Sequence, residues 1–366
     1  MPACIYNFGS AAWRACSIRP ARRERVVEKQ GFNREIRLGD LPLKEGGVLR
    51  DAVLTGYQIG ALNARRDNLV IVPCYYGGTY EGSLPLVGAG GPLAGGDYCV
   101  VLFDMFGNGR ASSPSRSHPS QAGHRFPAVT LDDNVEAQRR ALQAWFGDVD
   151  IALATGWSMG GMQSFLWAAL HPQRVRRLLP VCATARCWPH NRVFLDGVRS
   201  ALMADPVYNG GDYQQPPEAG LKAFARVYAG WAYSQAFFRR GLYRDLGFAD
   251  IDALLRFWEQ DHLAQDANDL LAVMHAWESA DPGDNGLYGG DYHAALGAIS
   301  ARTLIMPSRT DLYFTVEDAG HEAALIADVR VEVLDSDYGH AAGAPGREPV
   351  AMAQWWRAMA RLLAGS

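Results

Sequence analysis

The sequence predicts an α/β architecture: an open, mostly parallel sheet with helices on both faces. Two observations carry this. Short apolar runs without alternation recur along the chain, at residues 68–74 (NLVIVPC), 98–104 (YCVVLFD), 149–155 (VDIALAT), 175–183, 303–307 and 329–334. Runs of this kind read as strands buried on both faces, which is the signature of a parallel sheet covered by helices. Between several of them lie segments with apolar residues at helical spacing, at 131–146 and 161–170, and another closes the chain at 352–363. Strands alternating with helices exclude an all-β or all-helical fold.

The elements follow in order. Residues 1–34 show no periodicity and read as an N-terminal arm, with a solvated basic cluster at 19–25. Alternating apolar positions from 35 to 60 predict an opening meander of strands. The Gly-rich stretch 88–96 lacks a strand before it and a helix after it, so it reads as a loop and not a phosphate cradle. From 186 to 297 no buried strand is apparent. This segment is helical in pattern and rich in aromatics, Tyr228, Trp231, Trp258 and Trp277 among them. It is predicted to be a helical lid over the carboxyl ends of the strands, where open α/β sheets bind ligands. The core is then 35–185 together with 298–366.

Composition narrows the function classes. The formal net charge is −4 and the pI about 6.1, which gives no electrostatic basis for a nucleic-acid partner or an anionic membrane surface. No apolar run is long enough to span a bilayer, and the N-terminus does not read as a signal peptide. The six cysteines form no CxxC pair and no Cys/His cluster, so no metal site is expected. Cys74, Cys99 and Cys182 fall in apolar runs and read as core residues of a reducing compartment, hence a cytoplasmic protein.

The chemistry is carried by Gly156-Trp157-Ser158-Met159-Gly160-Gly161. The G-x-S-x-G pattern sits between a buried strand and a helix. That context holds a serine in a sharp, exposed turn at the positive end of the helix. A serine hydroxyl needs a base, and in such sites the acid and then the histidine follow it along the chain. Asp311 lies just past the end of the 303–307 run. His340 lies in the loop DSDYGH after the last run. Ser158, Asp311 and His340 are therefore the expected nucleophile, orienting acid and base; His321 is the rival histidine, and Asp335 and Asp337 are the alternative acids. The Met159 N–H and a backbone N–H from the loop after residue 74 are expected to hold an oxyanion. Tyr76 is the favoured second donor, with Tyr75 and Gly77 adjacent to it.

The run GWSMGGMQSFLWAALHPQRV resembles the nucleophile region of the homoserine O-acetyltransferase family, including its hydrolase members. The resemblance continues in PAVTLDDNVEAQ (127–138), VRSALMADPVYNGGDY (198–213), QPPEAGL (215–221), QDANDLL (265–271) and SRTDLYF (308–314), and so spans about 35–360. It implies the α/β-hydrolase fold, a helical lid, an acyl-enzyme on Ser158, no organic cofactor, a homodimer, and an Arg199 that reaches the substrate tunnel. Two departures bear on the acceptor. Ala341 follows His340 where homoserine acylators typically carry Asp, and bulky Trp157 stands where they commonly have Gly. Trp157 and Tyr75 are expected to line the substrate pocket. The residues 104–114 look more like those of family members described as esterases. The expectation is a hydrolase of small acyl esters. The alternatives are an acyl-CoA-dependent transferase with an acceptor other than homoserine, and a non-catalytic binding protein on the same fold.

Overall fold

The structure is a computed structural model, and it describes residues 31–365. The basic cluster at 19–25, Cys4 and Cys16 lie outside the described residues. Eight strands form one sheet: β1 (Phe32–Pro42), β2 (Val48–Ile59), β3 (Leu69–Pro73), β4 (Cys99–Phe103), β5 (Ile151–Trp157), β6 (Arg177–Val181), β7 (Arg302–Ile305) and β8 (Val329–Val331). Their order is β1-β2-β4-β3-β5-β6-β7-β8. The β1–β2 and β2–β4 pairings are antiparallel and the rest are parallel. Every residue of β3, β4 and β5 is buried, as continuous apolar runs require.

The sheet begins earlier than the expected meander. Phe32, Asn33 and Arg34 pair with Gln58, Tyr57 and Gly56. The Arg34 guanidinium donates to Gln58 Oε1 at 2.6 and 2.9 Å and lies over the rings of Phe32 and Trp145. These contacts draw residues 32–34, which carry no apolar alternation of their own, into the ladder. At the far edge β8 is shorter than the 329–334 run. Pairing continues irregularly, with Glu332 N–H donating to Ile305 and Leu334 N–H to Pro307 at 3.0 and 2.8 Å.

Two helices follow β4 and β5 in the chain. α1 (Leu131–Phe146) starts on a capping box between Thr130 and Asp133, and α2 (Met159–Leu170) leaves the end of β5 directly. Between β6 and β7 the chain is helical among the described residues: α3 (Pro189–Met203), α4 (Glu218–Ala232), α5 (Gln235–Arg240), α6 (Ile251–Leu263), α7 (Ala267–Glu278) and α8 (Tyr292–Gly297). α9 (Val316–Ala323) and α10 (Pro349–Ala364) complete the fold. No helix among the described residues is long and apolar enough to cross a membrane. Cys74, Cys99 and Cys182 are buried and unpaired, which matches their reading as core residues.

The helical segment is anchored to the core by aromatic stacking and by buried carboxylates, Glu322 and Asp269 among them. Tyr228 of α4 stacks on Tyr76, 5.5 Å between centroids, and also contacts Trp258 of α6. Glu322 of α9 is fully buried and accepts from Ala185 N–H (2.9 Å), Trp188 Nε1 (3.0 Å) and Tyr292 Oη (2.9 Å). Burial pushes its carboxyl up from 4.5 to about 7, against the pull of those donors. The folded protein therefore keeps a proton that the unfolded chain releases above pH 4.5. The contribution of this group to stability falls as pH rises from 4.5 to about 7. Glu322→Gln mimics the protonated acid. Relative to wild type, the variant is expected to gain stability across that window, by up to about 3 kcal/mol in urea unfolding free energy. A difference that stays flat with pH would show that Glu322 is ionised throughout.

Candidate active site

The elbow explains its own glycines. Ser158 follows β5 with φ 57 and ψ −129, a left-handed backbone that a non-glycine residue adopts only under constraint. The constraint is visible in the hydrogen bonds. Ser158 N–H donates to Val181 O at 3.0 Å, and its carbonyl accepts from Gly161 (2.8 Å) and Met162 (3.0 Å). The two flanking glycines leave no room for a side chain. A β-carbon on Gly156 would lie 2.5 Å from the Gly160 carbonyl carbon, and one on Gly160 would lie 2.4 Å from Pro73 O. The turn is thus tight enough to present Oγ and can be built only from small residues.

Asp311 and His340 reach this serine from separate loops. Asp311 follows β7, and its Oδ1 accepts from the N–H groups of Tyr313 (2.8 Å) and Phe314 (3.2 Å). Its Oδ2 lies 2.8 Å from His340 Nδ1, and His340 Nε2 lies 2.9 Å from Ser158 Oγ. The carboxylate side chain is wholly buried and the imidazole is 4% exposed. His340 sits in a 3-10 turn, Gly339–Gly343. Its loop is tied to the Asp311 loop by Gly339 N–H donating to Thr310 Oγ1 at 3.1 Å. Aromatic rings surround the imidazole. Trp157 stacks at 4.8 Å and donates from Nε1 to the His340 carbonyl at 3.1 Å, and Tyr313 meets the ring edge-on at 4.8 Å. A carboxylate on Nδ1 fixes the tautomer with its proton there, which leaves Nε2 free to accept the serine proton.

The expected oxyanion donors lie on either side of the serine. Met159 is the first residue of α2, and its N–H has no carbonyl to bond within the helix. Tyr76 lies in the loop after β3, and among the described residues its N–H donates to no backbone carbonyl. That loop is held from beneath by Asp104, which accepts from Tyr80 N–H (2.9 Å), Thr55 Oγ1 (2.7 Å) and Asn108 Nδ2 (3.1 Å). Asn108 also donates to Gly78 O at 3.2 Å. Tyr75 packs edge-on against Trp157 at 4.6 Å. Its hydroxyl occupies the space where a side chain at Gly82 would stand.

A cavity of about 30 Å³ opens over Ser158 and His340. Tyr75, Tyr76 and Trp157 wall one side. Tyr228, Trp258, Asp261, His262 and Gln265 from the helical segment wall the other. The last five were not singled out from the sequence as site residues. Gln265 opens the QDANDLL segment and Asp261 and His262 lie just before it, the one signal that could have drawn attention to them. Burial lowers the His262 imidazole pKa, so this ring is neutral in its aromatic setting.

The remaining candidates are placed elsewhere. Arg199 is not in the cavity wall; it forms an ion pair with Glu278 of α7. His321 is on α9, 6.2 Å from the Trp188 ring, and does not approach the serine. Asp335 and Asp337 pair with Arg309 at 2.7 and 2.8 Å, and Asp337 also with Arg240. Among the described residues, one group has metal-ligand proximity: Cys182, Asp311 and His340, within 4.8 Å. Two of these are bonded to each other, and burial pushes the Cys182 thiol well up, so it offers no thiolate.

A family model described as alpha/beta hydrolase fold matches residues 67–344. The chain belongs to this family. Within it, this α/β-hydrolase is similar to an ethyl acetate hydrolase from Pseudomonas veronii, 34% identical over 317 residues, 86% of this chain and 90% of that protein. A solved acetylester hydrolase from Corynebacterium glutamicum superposes with a TM-score of 0.87 at 30% identity, covering 91% of this chain and 96% of that one. A homoserine O-succinyltransferase from Methylibium petroleiphilum is 30% identical over 339 residues, 82% of this chain and 86% of that protein. The expected kinship with both ester hydrolases and homoserine acyltransferases is therefore borne out.

Proposed function

We propose that this α/β-hydrolase cleaves small carboxylic esters, acetates above all, through an acyl-enzyme on Ser158. The observation that carries the reading is the buried relay Asp311–His340–Ser158, two hydrogen bonds of 2.8 and 2.9 Å in series. His340 Nε2 takes the Ser158 proton as Oγ attacks the ester carbonyl. The Met159 and Tyr76 N–H groups receive the developing oxyanion. Collapse breaks the bond to the alcohol, which leaves with the proton from His340. Water then adds to the acyl-enzyme by the same route, and the acid departs.

The cavity over Ser158 is narrow and walled by the rings of Tyr75, Tyr76, Trp157, Tyr228 and Trp258, which favours a short acyl group. The similarity to an ethyl acetate hydrolase and an acetylester hydrolase points the same way. The residue after the base favours water over an amino-acid acceptor, because Ala341 supplies no carboxylate for an ammonium group. The reading includes a small-molecule ester as sole partner besides a second copy of the chain, and a cytoplasmic location.

The test is product partition. Purified protein is given ethyl acetate, or acetyl-CoA, with and without homoserine. Acetate release from ethyl acetate in water alone is expected, at a rate that homoserine leaves unchanged. O-acetylhomoserine forming faster than acetate would overturn the hydrolase reading in favour of the transferase.

A further inference from the structure

One buried group beside the relay has no part in the steps above. Cys182 follows β6 directly and is fully buried. Its φ is 45, a left-handed backbone that crowds any side chain, and its N–H donates to Met306 O at 2.9 Å. The sulfur presented by this turn lies within 4.8 Å of both an Asp311 carboxylate oxygen and a His340 ring nitrogen. It also bears on the turn that carries His340. A β-carbon on Gly343 would lie 2.6 Å from Sγ and 2.8 Å from Trp157 Cδ1. The His340 turn therefore closes directly onto the thiol, and glycine at 343 is what permits it.

Burial, and then the charge of Asp311, push the thiol well above its ordinary value. It stays protonated and has an S–H to give the neighbouring carboxylate. Asp311 Oδ1 accepts two backbone N–H groups and Oδ2 accepts from His340, which leaves room for one more donor. The other titratable groups around the imidazole are few. Asp311 and Tyr313 reach it from the loop after β7 and Ser158 from the head of α2, while Asp261 and His262 of α6 stand across the cavity. Asp311 is its one ion-pair partner among the described residues.

We infer that Cys182 is a positioning residue of the acid–base pair: its thiol props the His340 turn against the Asp311 loop and, by donating to Asp311, draws charge from the carboxylate that steadies the imidazolium. This role rests on the Ser158 chemistry read above. Without the S–H the carboxylate is more negative, and the imidazole keeps its proton to higher pH. A serine hydroxyl is the stronger donor and acts in the opposite sense. The experiment follows the acid limb of the pH profile in wild type, Cys182→Ala and Cys182→Ser. Two rates are read: kcat/KM for p-nitrophenyl acetate, and phosphorylation of Ser158 by diethyl p-nitrophenyl phosphate, which needs the relay but no turnover. The midpoint of the limb is expected about half a pH unit higher in Cys182→Ala and about half a unit lower in Cys182→Ser. At the plateau, the alanine variant should fall about tenfold below wild type and the serine variant stay within about threefold. Thiol packing alone would lower the melting temperature and the plateau and leave both midpoints in place. Midpoints within about 0.1 unit of wild type, or two shifts of the same sign, overturn the inference. Should the alanine variant fail to fold, a serine midpoint that stays or rises overturns it alone. A wild type that is phosphorylated but turns over no ester overturns the hydrolase reading, and the phosphorylation profile then decides the role of Cys182. A wild type inert to both reagents overturns both.

Discussion

Ser158→Ala is expected to lower kcat for p-nitrophenyl acetate by about 10⁴- to 10⁶-fold and to leave the melting temperature near that of wild type. The hydroxyl is the only atom lost. His340 then has no proton to remove, and no acyl-enzyme forms. Whatever rate survives comes from the oxyanion donors and from binding. Stability is expected to hold because the strained backbone at φ 57 is imposed by Val181, Gly161 and Met162 through main-chain bonds that alanine keeps. Wild type exposed to the ester and quenched in acid should carry one acetyl group on the peptide containing Ser158. Activity within tenfold of wild type would remove Ser158 from the mechanism.

Asp311→Asn should cost about 10⁴-fold in kcat with the fold retained. Oδ1 accepts two backbone N–H groups, from Tyr313 and Phe314. An asparagine keeps that turn only by placing its amide oxygen there. Its NH₂ then faces His340 Nδ1 and makes that nitrogen an acceptor. The ring proton moves to Nε2, the atom that has to take the serine proton, and the base is lost through the wrong tautomer. Asp311→Ala abolishes the turn as well, so it should lower the melting temperature along with the rate. A loss in the asparagine variant below tenfold would mean that the tautomer is fixed by some other group.

The parts of this site that were legible in the sequence are those whose chemistry is local. Strands β3, β4 and β5 read directly as apolar runs because both faces are buried. Ser158 read from its glycines, since a tight turn excludes side chains at 156 and 160. Asp311 and His340 read from order and from their place after strands. The helical segment did not yield its contacts in the same way. Its apolar positions mark an interior, but which helix faces Ser158 is a matter of tertiary packing. Tyr228 and Trp258 wall the cavity, while Trp277 of the same segment stacks on Phe314 at 5.5 Å. The sequence offers no sign of that division. The ion pair of Arg199 with Glu278 was not legible either: its partner lies on another helix, and no spacing rule links them.

The stacking of Trp157 and Tyr313 on His340 has a bearing on temperature. An imidazole held on its face and its edge has few rotamers left to search, so its alignment is settled when the chain folds and not at each turnover. The entropic part of the activation barrier should be small for that reason. Warming should then raise the rate smoothly until the aromatic enclosure loosens, at which point alignment and activity would fail together. Such a catalyst would lose activity within the same narrow interval in which its near-ultraviolet aromatic signal disappears.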